Sequence, residues 1–448
     1  MNSNVLLLVI DSLRSDKFYG KTKTAFTPNI DLLIKKGVYF SQTISSSDVT
    51  GKCLGNIFTG MYSYKTGINL KKFNPSIETI FDVLKKHNYN IYAVVPKLAW
   101  YNHIIKKFDD VDVYDIINKD NNNSTEHCGN SIVKRLTAGE MKQPWFYYIH
   151  LEDLHHKQSM FHHDKIIVPS KFNKKEFGET EYERTLSYLD EWIGKIINCI
   201  DHNNTIIIIT ADHGDYIPIK DNLRSAAREE SIVTRGKTIF PRLVPIGRKL
   251  LIMSRKTSRV FQQTKLKKQL SAEQLRTLNA RGDKTLYDET LRIPLLIINK
   301  DTTPKIIDQL VSGIDIFPTI MDLLGLKASS ETDGRSLKPL INGETIGEVP
   351  IFIESGDNLE HSEGFVIGVR TPKFKYFRDR DNPMKNVNLY DLDADPSERN
   401  NMANSMPEIV SRMEDIIDKF QIKSFNMDAN VDEDDEKIKQ ELKKLGYI

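Results

Sequence analysis

The chain has few cysteines and no long apolar run. Cys53, Cys128 and Cys199 are the only three among 448 residues. So sparse and odd a set gives no disulfide framework. No Cys-x-x-Cys pair exists, which disfavours a zinc–thiolate site. Reduced thiols and a cytoplasmic location are the expectation. No segment approaches the ~20 apolar residues of a membrane span. Val5–Ile10 is apolar, but no basic region precedes it and Asp11 ends it. It reads as a buried strand and not as a signal peptide. With a net charge of +2, no global polyelectrolyte partner is implied. No nucleic-acid module is evident.

What is present is alternation. Val5–Ile10, Ile91–Val95, Trp145–Ile149, Ile206–Thr210 and Pro294–Ile298 read as buried parallel strands. Asn29–Lys36, Ile77–His87, Glu181–Ile200 and Ile314–Leu324 carry helical spacing. The length suits a large α/β domain with a smaller companion. We expect a doubly wound, mostly parallel sheet with helices on both faces over 1–347. A smaller α+β unit follows over 348–448, with antiparallel strands at Ile351–Glu354, Phe365–Arg370 and Phe374–Arg378 and an acidic, then amphipathic tail. Residues 215–283 are strongly basic and poor in strand character, and read as a mostly helical insertion. It fits a lid that attracts an anionic substrate, or a solvated decoration. Within it, 239–254 suits an interfacial helix at a membrane surface.

In such sheets ligands sit beyond the carboxyl ends of the strands. Asp11 stands there after the first strand, His150 and Asp153 after a middle one, and Asp212-His213-Gly214 after Ile206–Thr210. Hard oxygens with an imidazole suit a divalent cation. Thr50 precedes a helical stretch that stops at Gly60, where a hydroxyl and an anion both gain from the positive helix end. Each feature taken singly also fits a turn or a helix N-cap.

Several motifs, in order, resemble the sulfatase family. They are Val9-Ile10-Asp11-Ser12-Leu13-Arg14, Thr27-Pro28-Asn29-Ile30-Asp31, Phe58-Thr59-Gly60 with Lys65-Thr66-Gly67, and Thr210-Ala211-Asp212-His213-Gly214. Further along stand Lys284-Thr285-Leu286-Tyr287-Asp288-Glu289, Asp315-Ile316-Phe317-Pro318-Thr319, Asp333-Gly334-Arg335-Ser336-Leu337 and Leu389-Tyr390-Asp391-Leu392. The resemblance implies an alkaline-phosphatase-like fold. It also implies one divalent cation (Mn, Mg, Ca or Zn) on Asp11, Asp212, His213 and the Thr50 hydroxyl. A second cation near His156, His162 and His163 is not the expectation, and His361 is read as a surface residue.

The chain departs from the family at the nucleophile. Family sulfatases carry a Cys/Ser-x-Pro-x-Arg motif whose first residue becomes formylglycine. Here Thr50-Gly51-Lys52-Cys53-Leu54 stands in its place. A threonine cannot become formylglycine. Thr50 resembles instead the nucleophile of phosphodiesterases, phosphonate monoester hydrolases and phosphoglycerol or phosphoethanolamine transferases. By this resemblance Thr50, His155 and Lys284 are catalytic; Lys97, His150 and Lys52 are read as substrate-binding. The substrate would be an anionic phosphate ester linked to a saccharide, lipid or nucleotide. Sulfate-ester hydrolysis without formylglycine and a silent binding protein are the alternatives.

Overall fold

A computed structural model describes residues 3–115, 124–155, 168–217, 276, 285–328, 330–356 and 365–420. Thirteen strands, β1 to β13, form two sheets among these residues. The large sheet holds β1 (Asn4–Ile10), β2 (Val38–Ile44), β3 (Asn90–Pro96), β4 (Asp110–Tyr114), β5 (Trp145–Leu151), β6 (Thr205–Thr210), β7 (Arg292–Ile298), β8 (Lys305–Ile307) and β9 (Val311–Ser312). Its order is β4-β3-β5-β1-β6-β7-β2-β8, with β9 beside β2.

β1 is central, parallel to β5 on one side and to β6 on the other. Its residues alternate between two cores. Val5, Leu7 and Val9 pack on one face, and Leu6, Leu8 and Ile10 on the other. A strand buried on both faces has no polar positions to spare, hence the unbroken apolar run.

The expected strands at Val5–Ile10, Ile91–Val95, Trp145–Ile149 and Ile206–Thr210 lie within parallel β1, β3, β5 and β6. Pro294–Ile298 lies in β7, but β7 runs antiparallel to β6. Burial dictates an apolar run in either direction, so composition could not tell them apart. Pro294 cannot donate to the ladder, and β2 bulges between Phe40 and Thr43 opposite it. The bulge is how a central strand accommodates this proline.

Helices at Pro28–Ile34, Ile80–Lys86, Glu181–Ile197 and Ile316–Leu324 match the expected ones, with ends shifted by up to three residues. The Ile80–Lys86 helix starts three residues late because Thr79 and Asp82 close a capping box there. None of the described helices is long and apolar enough to cross a membrane.

The small sheet runs antiparallel as β10 (Ile351–Glu354), β11 (Val366–Arg370), β12 (Phe374–Asp379) and β13 (Asn388–Asp391). The Pro407–Lys419 helix covers it through Met413 and Ile417. It is joined to the loop that precedes Thr50. Glu354 N donates to Ser46 O at 2.9 Å, and Gly356 N donates to Asp48 Oδ1 at 2.7 Å. Most of 215–283, including 239–254, lies outside the described residues. Arg276 is described, and its guanidinium is committed to the buried carboxylate of Glu289 at 2.9 Å. It is therefore not one of the cations that could draw in a substrate.

Candidate active site

The strand ends bring the expected residues together. Asp11 leaves β1, Asp212 and His213 leave β6, and the Thr50–Thr59 helix points its first residue at them. All of Asp11, Asp212 and His213 are fully buried, and Thr50 is 4% exposed. Thr50 Oγ1 lies 3.1 Å from His213 Nε2 and 3.4 Å from Asp11 Oδ2. His213 Nε2 is 3.3 Å from Asp212 Oδ2 and 3.9 Å from Asp11 Oδ1. His213 Nδ1 lies 2.9 Å from the Gly214 carbonyl, which can only accept. Nδ1 therefore carries the proton, and Nε2 offers a lone pair toward Thr50.

The N-cap alternative for Thr50 is excluded by position. Val49 is the N-cap and Thr50 is the first helical residue. The helix that follows needs small residues. A Cβ on Gly51 would meet the backbone of Leu70 at 2.9 Å. At the second turn, a Cβ on Gly214 would meet the Glu289 carbonyl at 2.2 Å. Glycine closes the Asp212-His213 turn for this close approach.

Ser12 was not anticipated. It holds φ at 63°, an uncommon conformation for a residue with a side chain. Its amide donates to Asp212 Oδ1 at 3.3 Å, and its hydroxyl donates to Asp11 Oδ1 at 2.7 Å. Tyr182 OH donates to its carbonyl at 2.8 Å. Ser12 thus ties the two carboxylate turns together. It appeared in the sequence only as the residue after Asp11.

His155 Nδ1 sits 3.1 Å from Asp11 Oδ1. Burial pushes the Asp11 carboxyl up, but its hydrogen-bonded partner His155 foremost outweighs it, and Asp11 is held well below its ordinary range. His150, next to last in β5, is fully buried, and burial lowers it to about 4, so it is neutral. Glu152 joins Asp11 and His155 in a second grouping, with one ligand atom from each within 4.8 Å of the others.

The donor set fits a cation. Asp11, Asp212 and His150 each offer a ligand atom within 4.8 Å of the others. Two buried carboxylates this close repel each other unless positive charge lies between them. Carboxylate oxygens with imidazole suit Mg, Mn, Ca or Zn. Asp11, Asp212, His213 and Thr50 could hold it, with Thr50 Oγ1 3.1 Å from His213 Nε2 and 3.4 Å from Asp11 Oδ2.

Two expected residues stand elsewhere. The Lys97 side chain is 66% exposed, with Nζ 4.0 Å from Asp115. Its strand end lies two strands from β1, beyond β5, and the side chain turns to solvent. Lys52 is buried, but its Nζ donates to Glu354 Oε2 at 2.8 Å and to the Ser355 carbonyl at 3.2 Å. Helical rotation aims it at the small sheet and away from Asp11, so it acts as a strut. Lys284 lies outside the described residues, as do His156, His162, His163 and His361. Cys53 donates to the Ser47 carbonyl, and burial raises its thiol well above the ordinary value. It stays protonated and is no rival nucleophile.

Comparison with known proteins agrees with this fold. The family model described as Sulfatase matches residues 3–326. A model described as N-sulphoglucosamine sulphohydrolase, C-terminal, matches residues 282–423. Choline-sulfatase of Rhizobium meliloti (strain 1021) is 21% identical over 453 residues, covering 89% of this chain and 82% of that one. Arylsulfatase K of Rattus norvegicus is 27% identical, but over only 28% of this chain and 23% of its own. Among solved structures, the phosphonate monoester hydrolase of Agrobacterium radiobacter superposes with a TM-score of 0.64 at 15% identity, covering 94% of this chain and 95% of that one. That likeness speaks to fold. With a family match over well more than half its length, the chain belongs to the sulfatase family of hydrolases.

Proposed function

We propose that this chain hydrolyses or transfers the phosphoryl group of anionic phosphate esters, diesters foremost, with the Thr50 oxygen as nucleophile. One observation carries the reading. The Thr50 hydroxyl is buried at the start of its helix, between His213 Nε2 at 3.1 Å and Asp11 Oδ2 at 3.4 Å. A divalent cation on Asp11, Asp212, His213 and Thr50 would stabilise the alkoxide and the charge on the ester oxygens. Thr50 loses its proton to solvent, its oxygen bonds to phosphorus, and the bond to the leaving alcohol breaks in line. His155, held by Asp11, gives that alcohol its proton. Water, or an acceptor alcohol, then cleaves the Thr50 phosphoester and restores the hydroxyl. Lys284 keeps the anion-binding role that its motif implies. The sparse cysteines, none of them in a disulfide, support a cytoplasmic place for the protein.

Sulfate-ester hydrolysis is the second reading, favoured by the long match to choline-sulfatase. A paired assay separates the two. Bis(4-nitrophenyl) phosphate and 4-nitrophenyl sulfate are offered with Mn²⁺, Mg²⁺, Ca²⁺ or Zn²⁺. Diester turnover, with phosphate trapped on Thr50 by acid quench and lost in Thr50→Ala, is the expected result. Thr50→Ala should cost on the order of 10⁴-fold or more in kcat. Sulfate turnover alone, or normal turnover by Thr50→Ala, overturns the proposal.

A further inference from the structure

Three buried groups form a chain beside the site. The Tyr148 hydroxyl lies 2.8 Å from that of Tyr101. The Tyr101 hydroxyl lies 2.5 Å from His150 Nδ1. Tyr101 is 2% exposed, and Tyr148 and His150 are fully buried. Tyr114 OH donates to the His150 carbonyl at 2.8 Å and fixes the backbone there. At the other edge of the ring, His150 Nε2 makes no hydrogen bond among the described residues. It lies 3.8 Å from Asp11 Oδ2, on the side of the site.

Counting hydrogens gives the chain a direction. Among the described residues the Tyr148 hydroxyl has one hydrogen-bond partner, Tyr101. Its hydrogen therefore goes to the Tyr101 oxygen. The Tyr101 hydrogen then goes to His150 Nδ1, which accepts. The imidazole must carry its own hydrogen on Nε2. The reverse direction starts with Nδ1–H donating to Tyr101. It turns the Tyr101 hydrogen onto Tyr148 and leaves the Tyr148 hydrogen with no acceptor among the described residues. An imidazolium strands it too. Buried donors without acceptors are what folded chains avoid.

We infer that His150 is not a ligand of the cation but a locked hydrogen-bond donor, its Nε2–H held toward an anionic oxygen of the bound ester by the Tyr148–Tyr101 hydroxyl relay. A ring nitrogen that carries hydrogen has no lone pair for a metal. The grouping of Asp11, Asp212 and His150 then divides into two carboxylates for the cation and one donor for the substrate. Such a donor serves the non-bridging oxygens, where charge sits during group transfer. Tyr101 and Tyr148 are positioning residues. No sequence motif marks them. They meet because β3 and β5 are neighbours and Tyr101 lies in the turn after β3.

The role toward an ester rests on the proposed function, but the tautomer can be read without turnover. The full-length protein is labelled with ¹⁵N-histidine, and long-range ¹H–¹⁵N spectra assign His150 by its loss in His150→Gln. The expected result is hydrogen on Nε2, unmoved when Mg²⁺ or Zn²⁺ is titrated in. Tyr101→Phe should abolish this tautomer preference, while Tyr148→Phe, which leaves the Tyr101 hydrogen only Nδ1 to seek, should keep it. Hydrogen on Nδ1 in the wild type, or a metal-induced shift of Nε2 to a coordinated position, overturns the inference. Calorimetry gives a second reading. His150→Gln keeps a donor near Nε2 and should bind Mg²⁺ or Zn²⁺ as the wild type does, whereas a loss of about tenfold or more, the scale of a disturbed metal site, also overturns it. A wild type that carries the expected tautomer but turns over no diester sinks the proposed function and leaves the lock standing.

Discussion

Replacing Asp212 by Asn should make the metal-free protein more stable and the metal-bound protein less so. Asp11 and Asp212 each present a carboxylate oxygen within 4.8 Å of the other. Two unit charges at that separation repel by about 3.5 kcal/mol at an effective dielectric of about 20. Neighbouring imidazoles offset part of this, so relief of ~1–3 kcal/mol is the expectation. The substitution preserves the turn. Asp212 Oδ1 accepts from the amides of Ser12 at 3.3 Å and His213 at 2.8 Å, and an Asn Oδ1 does the same. The changed group, Oδ2, faces His213 Nε2 at 3.3 Å, to which an Asn amide can donate. That new bond also withdraws the imidazole lone pair. Thermal unfolding in EDTA should therefore rise by a few degrees. Saturating Mn²⁺ or Mg²⁺ stabilises the wild type by about 2.7 kcal/mol at a hundred times Kd, and most of that gain should vanish in the variant. A variant that melts lower without metal, or that keeps the full metal-induced gain, refutes the reasoning.

Three further substitutions test other parts of the frame. Gly214→Ala places a Cβ 2.2 Å from the Glu289 carbonyl. It should cost ~1–3 kcal/mol in urea denaturation and weaken metal binding, since it moves the Asp212-His213 turn. Lys375 is fully buried, ion-paired with Asp288 and 2.7 Å from Glu398 Oε1. Lys375→Met removes the buried cation the two carboxylates share, leaving Asp288 with Arg370 at 3.8 Å, and should destabilise by about 3 kcal/mol, read from the denaturation midpoint. Asp315 is buried, which raises its carboxyl from 3.8 to about 6 despite hydrogen bonds from the amides of Arg335 and Ser312. A raised acid binds its proton more tightly when folded, so its contribution is present below pH 3.8 and is lost as pH climbs to 6. The stability of Asp315→Asn relative to wild type should rise by up to about 3 kcal/mol across that window. A flat difference between pH 4 and pH 6 would remove Asp315 as the cause.

Much of this architecture was legible because burial on both faces writes itself into composition. β1, β3, β5 and β6 are apolar at nearly every position, and their polar terminators are the site. Strand direction was not legible. β7 is as apolar as β6, and its reversal follows from a link that leaves β6 and enters β7 at the same end of the pair. β2 was missed as a strand because Ser41 and Gln42 interrupt it at the bulge. The Ser124–Thr137 helix was missed because Gly129 and Asn130 break its pattern. That glycine exists for packing, since a Cβ there would meet the Trp192 ring at 2.5 Å. Lys97 and Lys52 were misplaced for a related reason. A long flexible cation follows whichever carboxylate lies nearest in space, and neither Asp115 nor Glu354 is near in any way that spacing reveals.

The difference between a turn residue and a site residue is settled by where its polar atoms point. In the sequence Asp11, Thr50 and Asp212 each fitted a cap or a turn. In the structure the Asp11 carboxylate takes the Ser12 hydroxyl, His155 Nδ1 and the neighbourhood of Thr50, and caps no helix. Thr50 has left the capping place to Val49. Asp212 alone does both, accepting from two turn amides with Oδ1 and offering Oδ2 inward toward His213. That split makes Asp212 the residue where fold and chemistry separate most cleanly. The two amides explain why Asn should hold the turn, and the inward oxygen explains why Asn should fail the metal. A stable Asp212→Asn protein that no longer gains from Mn²⁺ would show the site to be an addition to the turn, imposed on a loop that folds without it. Should the variant unfold instead, the inward oxygen would be structural, and the cation would have to be a component of the fold itself.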